Sequence, residues 1–164
     1  MRVFLYAAVW LLLANVAIAK DENYNADHFS ITIPQDMTSD EREADLISLV
    51  FKGDEDKLQK GTLSVSARKS PKLGDFATGW SRLRTATIGN RKVLYEREEN
   101  ASGLKWKVLA VISKAGCEIQ DVLYYSRSND VAYSLHYHCH PDNCGAIAGA
   151  FSKILATFKW KSEQ

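Results

Sequence analysis

Residues 104–140 read LKWKVLAVISKAGCEIQDVLYYSRSNDVAYSLHYHCH. Apolar and aromatic side chains run through Leu104–Ser113, Cys117–Ser126 and Val131–His140. The breaks fall at Lys114-Ala115-Gly116 and Ser128-Asn129-Asp130, residue types that tolerate tight bends. Consecutive strands joined by short turns pair antiparallel, so this stretch predicts a meander. Arg91–Glu98 adds a further strand in front of it, across Asn100-Ala101-Ser102-Gly103.

Working outward, His28-Phe29-Ser30-Ile31-Thr32-Ile33 alternates with period two, places Phe29, Ile31 and Ile33 on one face and stops at Pro34, which predicts a strand. Residues 20–27 are polar and predict no regular element, and the acidic Thr38–Asp45 predicts a loop or short helix. Leu46–Phe51 and Thr62–Ala67 predict a hairpin with a long polar connection at Gly53-Asp54-Glu55-Asp56. After the break at Pro71–Gly74, Asp75 is an N-cap candidate. Phe76, Trp80 and Leu83 recur at helical spacing over 76–87. At the far end Asp142 or Asn143 can cap a helix whose stripe is Ile147, Phe151, Ile154, Leu155 and Phe158. Long antiparallel strands with helices before and after the meander predict an α+β fold, with helices packed on a mainly antiparallel sheet.

The first nineteen residues have a different character. Arg2 precedes an apolar run from Val3 to Leu13, and Ala17-Ile18-Ala19 supplies small side chains where a signal peptidase needs them. The run is shorter than the roughly 20 residues of a spanning helix and contains Asn15, so a cleaved leader at 1–19 is expected rather than a membrane anchor. Residues 20–164 then form one domain, located in the periplasm or secreted. Without Arg2 the basic and acidic residues balance at 20 each. That balance disfavours nucleic acid or an anionic membrane as partner, since both select a basic surface. All three cysteines lie after the leader, and an oxidising compartment favours pairing. Cys139 and Cys144 flank the turn-forming His140-Pro141-Asp142-Asn143, which favours their bridge over the rival Cys117–Cys139.

The opening Phe29-Ser30-Ile31-Thr32-Ile33-Pro34, the hairpin, the helix around Trp80, the meander and the closing Ile154-Leu155-Ala156-Thr157-Phe158 together resemble the PsbP-like fold family. That family includes the photosystem extrinsic protein, DcrB-type periplasmic proteins and chaperones of secretion effectors. The resemblance implies a binding module and carries no catalytic residue onto this chain.

The chemistry-bearing segment is Leu135-His136-Tyr137-His138-Cys139-His140. On a strand the three histidines share one face. With the turn centred on Ser128, Cys117 stands opposite Cys139, Glu118 opposite His138 and Gln120 opposite His136. His136, His138 and Glu118 are then the candidate ligands for zinc or copper, and no other cofactor is implied. The bland alternative is a solvated polar face. Cys139 points away from its neighbouring histidines, which disfavours a thiol nucleophile, and the motifs G-x-S-x-G and H-E-x-x-H are absent from the sequence. The expected function is therefore non-catalytic protein–protein recognition, with immunity against a cell-envelope toxin as its most specific form. Candidate partner-binding residues are Asp54, Glu55 and Asp56, with Gln120 and Tyr124 beside the histidines. A metal-binding periplasmic protein is the first alternative, and a small envelope hydrolase the second.

Overall fold

The computed structural model describes residues 21–52, 61–69, 75–113 and 119–161. The leader expected at 1–19, the acidic connection at Asp54, Glu55 and Asp56, and the pair Cys117 and Glu118 lie outside the described residues. The elements run β1 (Glu22–Asn25), β2 (Phe29–Ile33), β3 (Met37–Glu43), β4 (Leu46–Phe51), β5 (Thr62–Lys69) and α1 (Phe76–Ile88). They continue with β6 (Lys92–Ala101), β7 (Leu104–Ile112), β8 (Gln120–Ser128), β9 (Val131–Cys139), α2 (Cys144–Thr157) and β10 (Lys159–Trp160). The fold is α+β.

Seven strands pair in the order β3-β4-β5-β9-β8-β7-β6, antiparallel throughout. The hairpin β4–β5 docks on the last strand of the meander, so β5 and β9 meet at the centre of the sheet. A second sheet, β1-β2-β10, lies with α2 over one face. Every inward side chain of β2, β5 and β9 contributes there. Phe158 joins the layers, with its ring centroid 5.5 Å from Trp106, 5.6 Å from Tyr133 and 5.9 Å from Phe29. Burying these aromatic and β-branched side chains is the main stabilising term, at roughly 1.5–3 kcal/mol for each large side chain.

Helix α1 covers the other face only in part. Asp75 caps it, accepting from the Thr78 N–H at 2.8 Å. Trp80, with Phe76, Leu83 and Ile88, packs on Leu109, Val111, Leu123 and Tyr125 of β7 and β8. The Trp80 indole donates to Glu96 Oε1 at 3.2 Å, and Arg84 Nε donates to Glu96 Oε2 at 2.8 Å. Both contacts fasten the helix toward the β6 edge. Among the described residues no helix or strand lies over this face of β4, β5 and β9.

Three expectations need correction. Residues 20–27 contain β1, because Asn23 and Tyr24 pair with Thr32 and Ile31 and Tyr24 is buried. Residues 38–45 are neither loop nor helix: β3 pairs with β4 through a bulge between Ser39 and Glu41. Its charges face water from the edge of the sheet. The register of β8 with β9 is also displaced by three residues: Gln120 stands opposite Cys139, Asp121 opposite His138 and Leu123 opposite His136. Ser128 pairs with Val131, so the turn is Asn129-Asp130, with Asn129 at φ 51°. An odd displacement exchanges the two faces of a strand.

Candidate functional site

On β9 the alternation is strict. Val131, Tyr133, Leu135, Tyr137 and Cys139 enter the core, while Ala132, Ser134, His136 and His138 are half-buried on the opposite face. The pairings continue that opposite face sideways. Val50, Thr62, His138 and Asp121 form one row, and Ser48, Ser64, His136 and Leu123 the next. Ser66 and Ser134 follow, their hydroxyls 2.8 Å apart. Among the described residues this half of the sheet is a floor of small hydroxyls and two imidazoles, with the buried Val50 on β4, and it ends against the wall of α1.

The charged centre of that floor is Asp121, whose side chain is 11% exposed. Its Oδ2 accepts from Arg91 Nη1 at 2.8 Å, and its Oδ1 lies 3.0 Å from His136 Nε2. Burial pushes the carboxyl up, but the hydrogen bond and charge of His136, with Arg91, outweigh it and hold Asp121 below the usual aspartate value. His138 is shifted down, first by burial and then by His136, against an opposing pull from Asp121. Its Nδ1 sits 3.0 Å from Thr62 Oγ1, and the two imidazole centroids are 6.2 Å apart.

The structure thus gathers His136 and His138 as expected, but the carboxylate beside them is Asp121, which the displaced register had hidden. Among the described residues no group of three or more His, Cys, Asp or Glu side chains is arranged to hold a metal ion. His140 leaves the cluster, facing Asp142 at the entrance to α2. Tyr124 needs a further correction. It lies on the face opposite the histidines and is 7% exposed, packed on Phe151 at 4.6 Å and on Trp106. Gln120 shares that face with Cys139. Neither residue belongs to the polar floor. Cys139 is joined to Cys144 across a Cα separation of 5.2 Å, tying the end of β9 to the first residue of α2. This consumes the thiol.

Where α1 meets the floor there is a cleft of about 390 Å³, lined by Ser66, Arg68, Arg82, Leu83, Tyr125 and Ser134 among others. The Tyr125 ring is sandwiched with Phe76 and Trp80, at 5.5 and 6.2 Å. Its hydroxyl is buried and has no hydrogen-bond partner among the described residues. Burial accordingly raises the Tyr125 phenol, with Arg127 opposing. Leaving such a group unsatisfied costs about 1–3 kcal/mol. Sequence reasoning passed over this residue, since a tyrosine in an apolar strand reads as core.

Solved structures share this arrangement of helices packed on an antiparallel sheet. Cyanobacterial PsbP (CyanoP) from Synechocystis is similar at a TM-score of 0.63 and 13% identity, over 90% of this chain and 96% of that one. LpqN, involved in cell envelope biogenesis of Mycobacterium tuberculosis, is similar at 0.60 and 10% identity, over 87% and 91%. A Bacteroides thetaiotaomicron protein matches at 0.55 and 14% identity over 82% of this chain. The chain spans only 46% of that protein's length. No family model and no curated protein matches the chain by sequence. At such identities the likeness shows the fold.

Proposed function

We propose that the chain is an exported, non-catalytic binding protein that works by protein–protein recognition, with the uncovered half of the main sheet as its contact surface. The observation that carries this is the floor itself. Ser48, Thr62, Ser64, Ser66, Ser134, His136 and His138 are all half-exposed, across three adjacent strands that no element covers among the described residues. Short hydroxyls give a flat surface that stays soluble when unbound, and the imidazoles give anchors that can be desolvated. The Cys139–Cys144 disulfide supports an oxidising, extracytoplasmic location, as does the leader at 1–19. Immunity against a cell-envelope toxin is the specific form this reading takes. Asp54, Glu55 and Asp56 are offered as a second contact region.

The test is capture of partners from the native envelope fraction by the tagged, leaderless protein, with Ser48→Arg as the blocked form. A stoichiometric partner lost in Ser48→Arg supports the reading. Turnover of peptidoglycan, lipid or ester substrates by the purified protein, with no partner captured, replaces it with the hydrolase alternative. Zinc or copper on His136, His138 and Glu118 is a second reading, favoured by the 6.2 Å separation of the two rings. It requires His136 to exchange Asp121 for the metal. Zinc affinity unchanged in a His136→Ala, His138→Ala variant removes it.

A further inference from the structure

We infer that the cleft between α1 and the sheet, which borders the partner surface proposed above and shares Ser66 and Ser134 with it, is a binding site for a small amphipathic carboxylate. Three observations converge there. Its volume, about 390 Å³, lies at the lower end of the range for small-ligand pockets. Leu83 and the Tyr125 ring give it an apolar interior. Arg68 and Arg82 line it from opposite sides, one on β5 and one on α1, and both are exposed. Among the described residues neither guanidinium has an ion-pair or hydrogen-bond partner. That distinguishes them from Arg42, Arg84, Arg91 and Arg97, each of which is paired with a carboxylate.

The third observation is Tyr125. It is 4% exposed, it lines the cleft, and its hydroxyl has no partner among the described residues. It lies against Gly79, which lines the same cleft. An acceptor entering beside Gly79 would satisfy that donor. Two guanidiniums without a described partner select an anion, and a planar fork can grip both oxygens of a carboxylate. The apolar interior selects a hydrocarbon body, which a bare inorganic anion lacks. The occupant is thus a carboxylate carrying a short hydrocarbon chain.

Calorimetric titration of the leaderless, disulfide-bonded protein with decanoate tests this, with decanol and acetate as the two halves of the ligand. Saturable one-to-one binding of decanoate is expected, weakened roughly tenfold by Arg68→Ala or by Arg82→Ala, because each removes a charge-assisted hydrogen bond. Tyr125→Phe should also weaken it while leaving the fold intact by circular dichroism. Decanol should bind at least tenfold more weakly, and acetate should not saturate. Both arginines are exposed, so these variants fold. The inference is overturned by absence of saturable decanoate binding, by equal affinity for decanoate and decanol, or by an Arg68→Ala, Arg82→Ala double variant that binds like the parent. Partner capture is read separately through Ser48→Arg, since Ser48 does not line the cleft.

Discussion

Gly79 and Tyr125 are matched across the interface of α1 with the sheet: a Cβ built on Gly79 would stand 2.2 Å from the Tyr125 hydroxyl oxygen. The ring cannot simply retreat, since Phe76 and Trp80 stack on it. Alanine at 79 gains about 1 kcal/mol of helix propensity but meets an overpacking cost of about 1–3 kcal/mol. Gly79→Ala is expected to destabilise the protein, and Tyr125→Phe to restore it by removing the oxygen. Urea unfolding of the two single variants and the double variant measures the coupling. Additive effects would show that the contact relaxes freely.

Trp80 carries the attachment of α1. It is 6% exposed and bonds Glu96 through its indole. Trp80→Ala should cost about 3–5 kcal/mol, as large aromatic truncations do. Amide exchange should then quicken along residues 76–88 before it does in β9. Equal protection loss across the whole sheet would contradict partial coverage by a separately held helix.

Acid should act in two stages. His138 is depressed from its ordinary 6.5 by burial and by His136. The unfolded chain therefore takes that proton first. The stability carried by neutral His138 is complete above the unfolded value, and is lost as pH falls from there through the folded value. Asp121 is depressed from an ordinary 3.8. Its contribution persists above that value and disappears as pH falls through the folded one. His138→Gln should flatten the upper stage and leave the lower. A parent protein whose unfolding free energy does not change between about pH 7 and pH 5 would exclude the first stage.

The disulfide predicts a direct chemical result. Peptide mapping without reduction should place Cys139 and Cys144 in one crosslinked fragment. With a sequence separation of 5, the chain-entropy contribution of so short a loop is about 2 kcal/mol. Loss of that amount is expected in a Cys139→Ser, Cys144→Ser variant, by chemical denaturation. No change in stability would mean that the unfolded chain is already constrained there.

The legible parts of the fold were those whose own side chains alternate or recur. Phe29–Ile33, Leu46–Phe51 and the meander announce themselves because each buries a regular face, and α1 and α2 show their stripes. β3 did not, since Met37 is its only buried side chain and Ser39 the only half-buried one. Its conformation comes from hydrogen bonds to β4, which no local pattern encodes. β1 offers only Tyr24, and β10 has two residues. At the site, the histidines were legible from spacing alone. Their carboxylate was not, because it depends on whether the turn is centred on Ser128 or on Asn129-Asp130. Asn-Asp flanked by two apolar runs was the available signal for the two-residue turn. Tyr124 was misplaced by the same error, as its face follows from the register.

The pairing of β2 with β10 sets an order in time. Ser30 and Phe29 wait for Lys159 and Trp160, more than a hundred positions later in synthesis. β5 likewise waits for β9 before it gains its second neighbour. Contacts this distant along the chain close slowly. The early strands therefore cannot lock into their final sheets until the last segment of the chain has been made, and the protein closes only once its C-terminal strand is available.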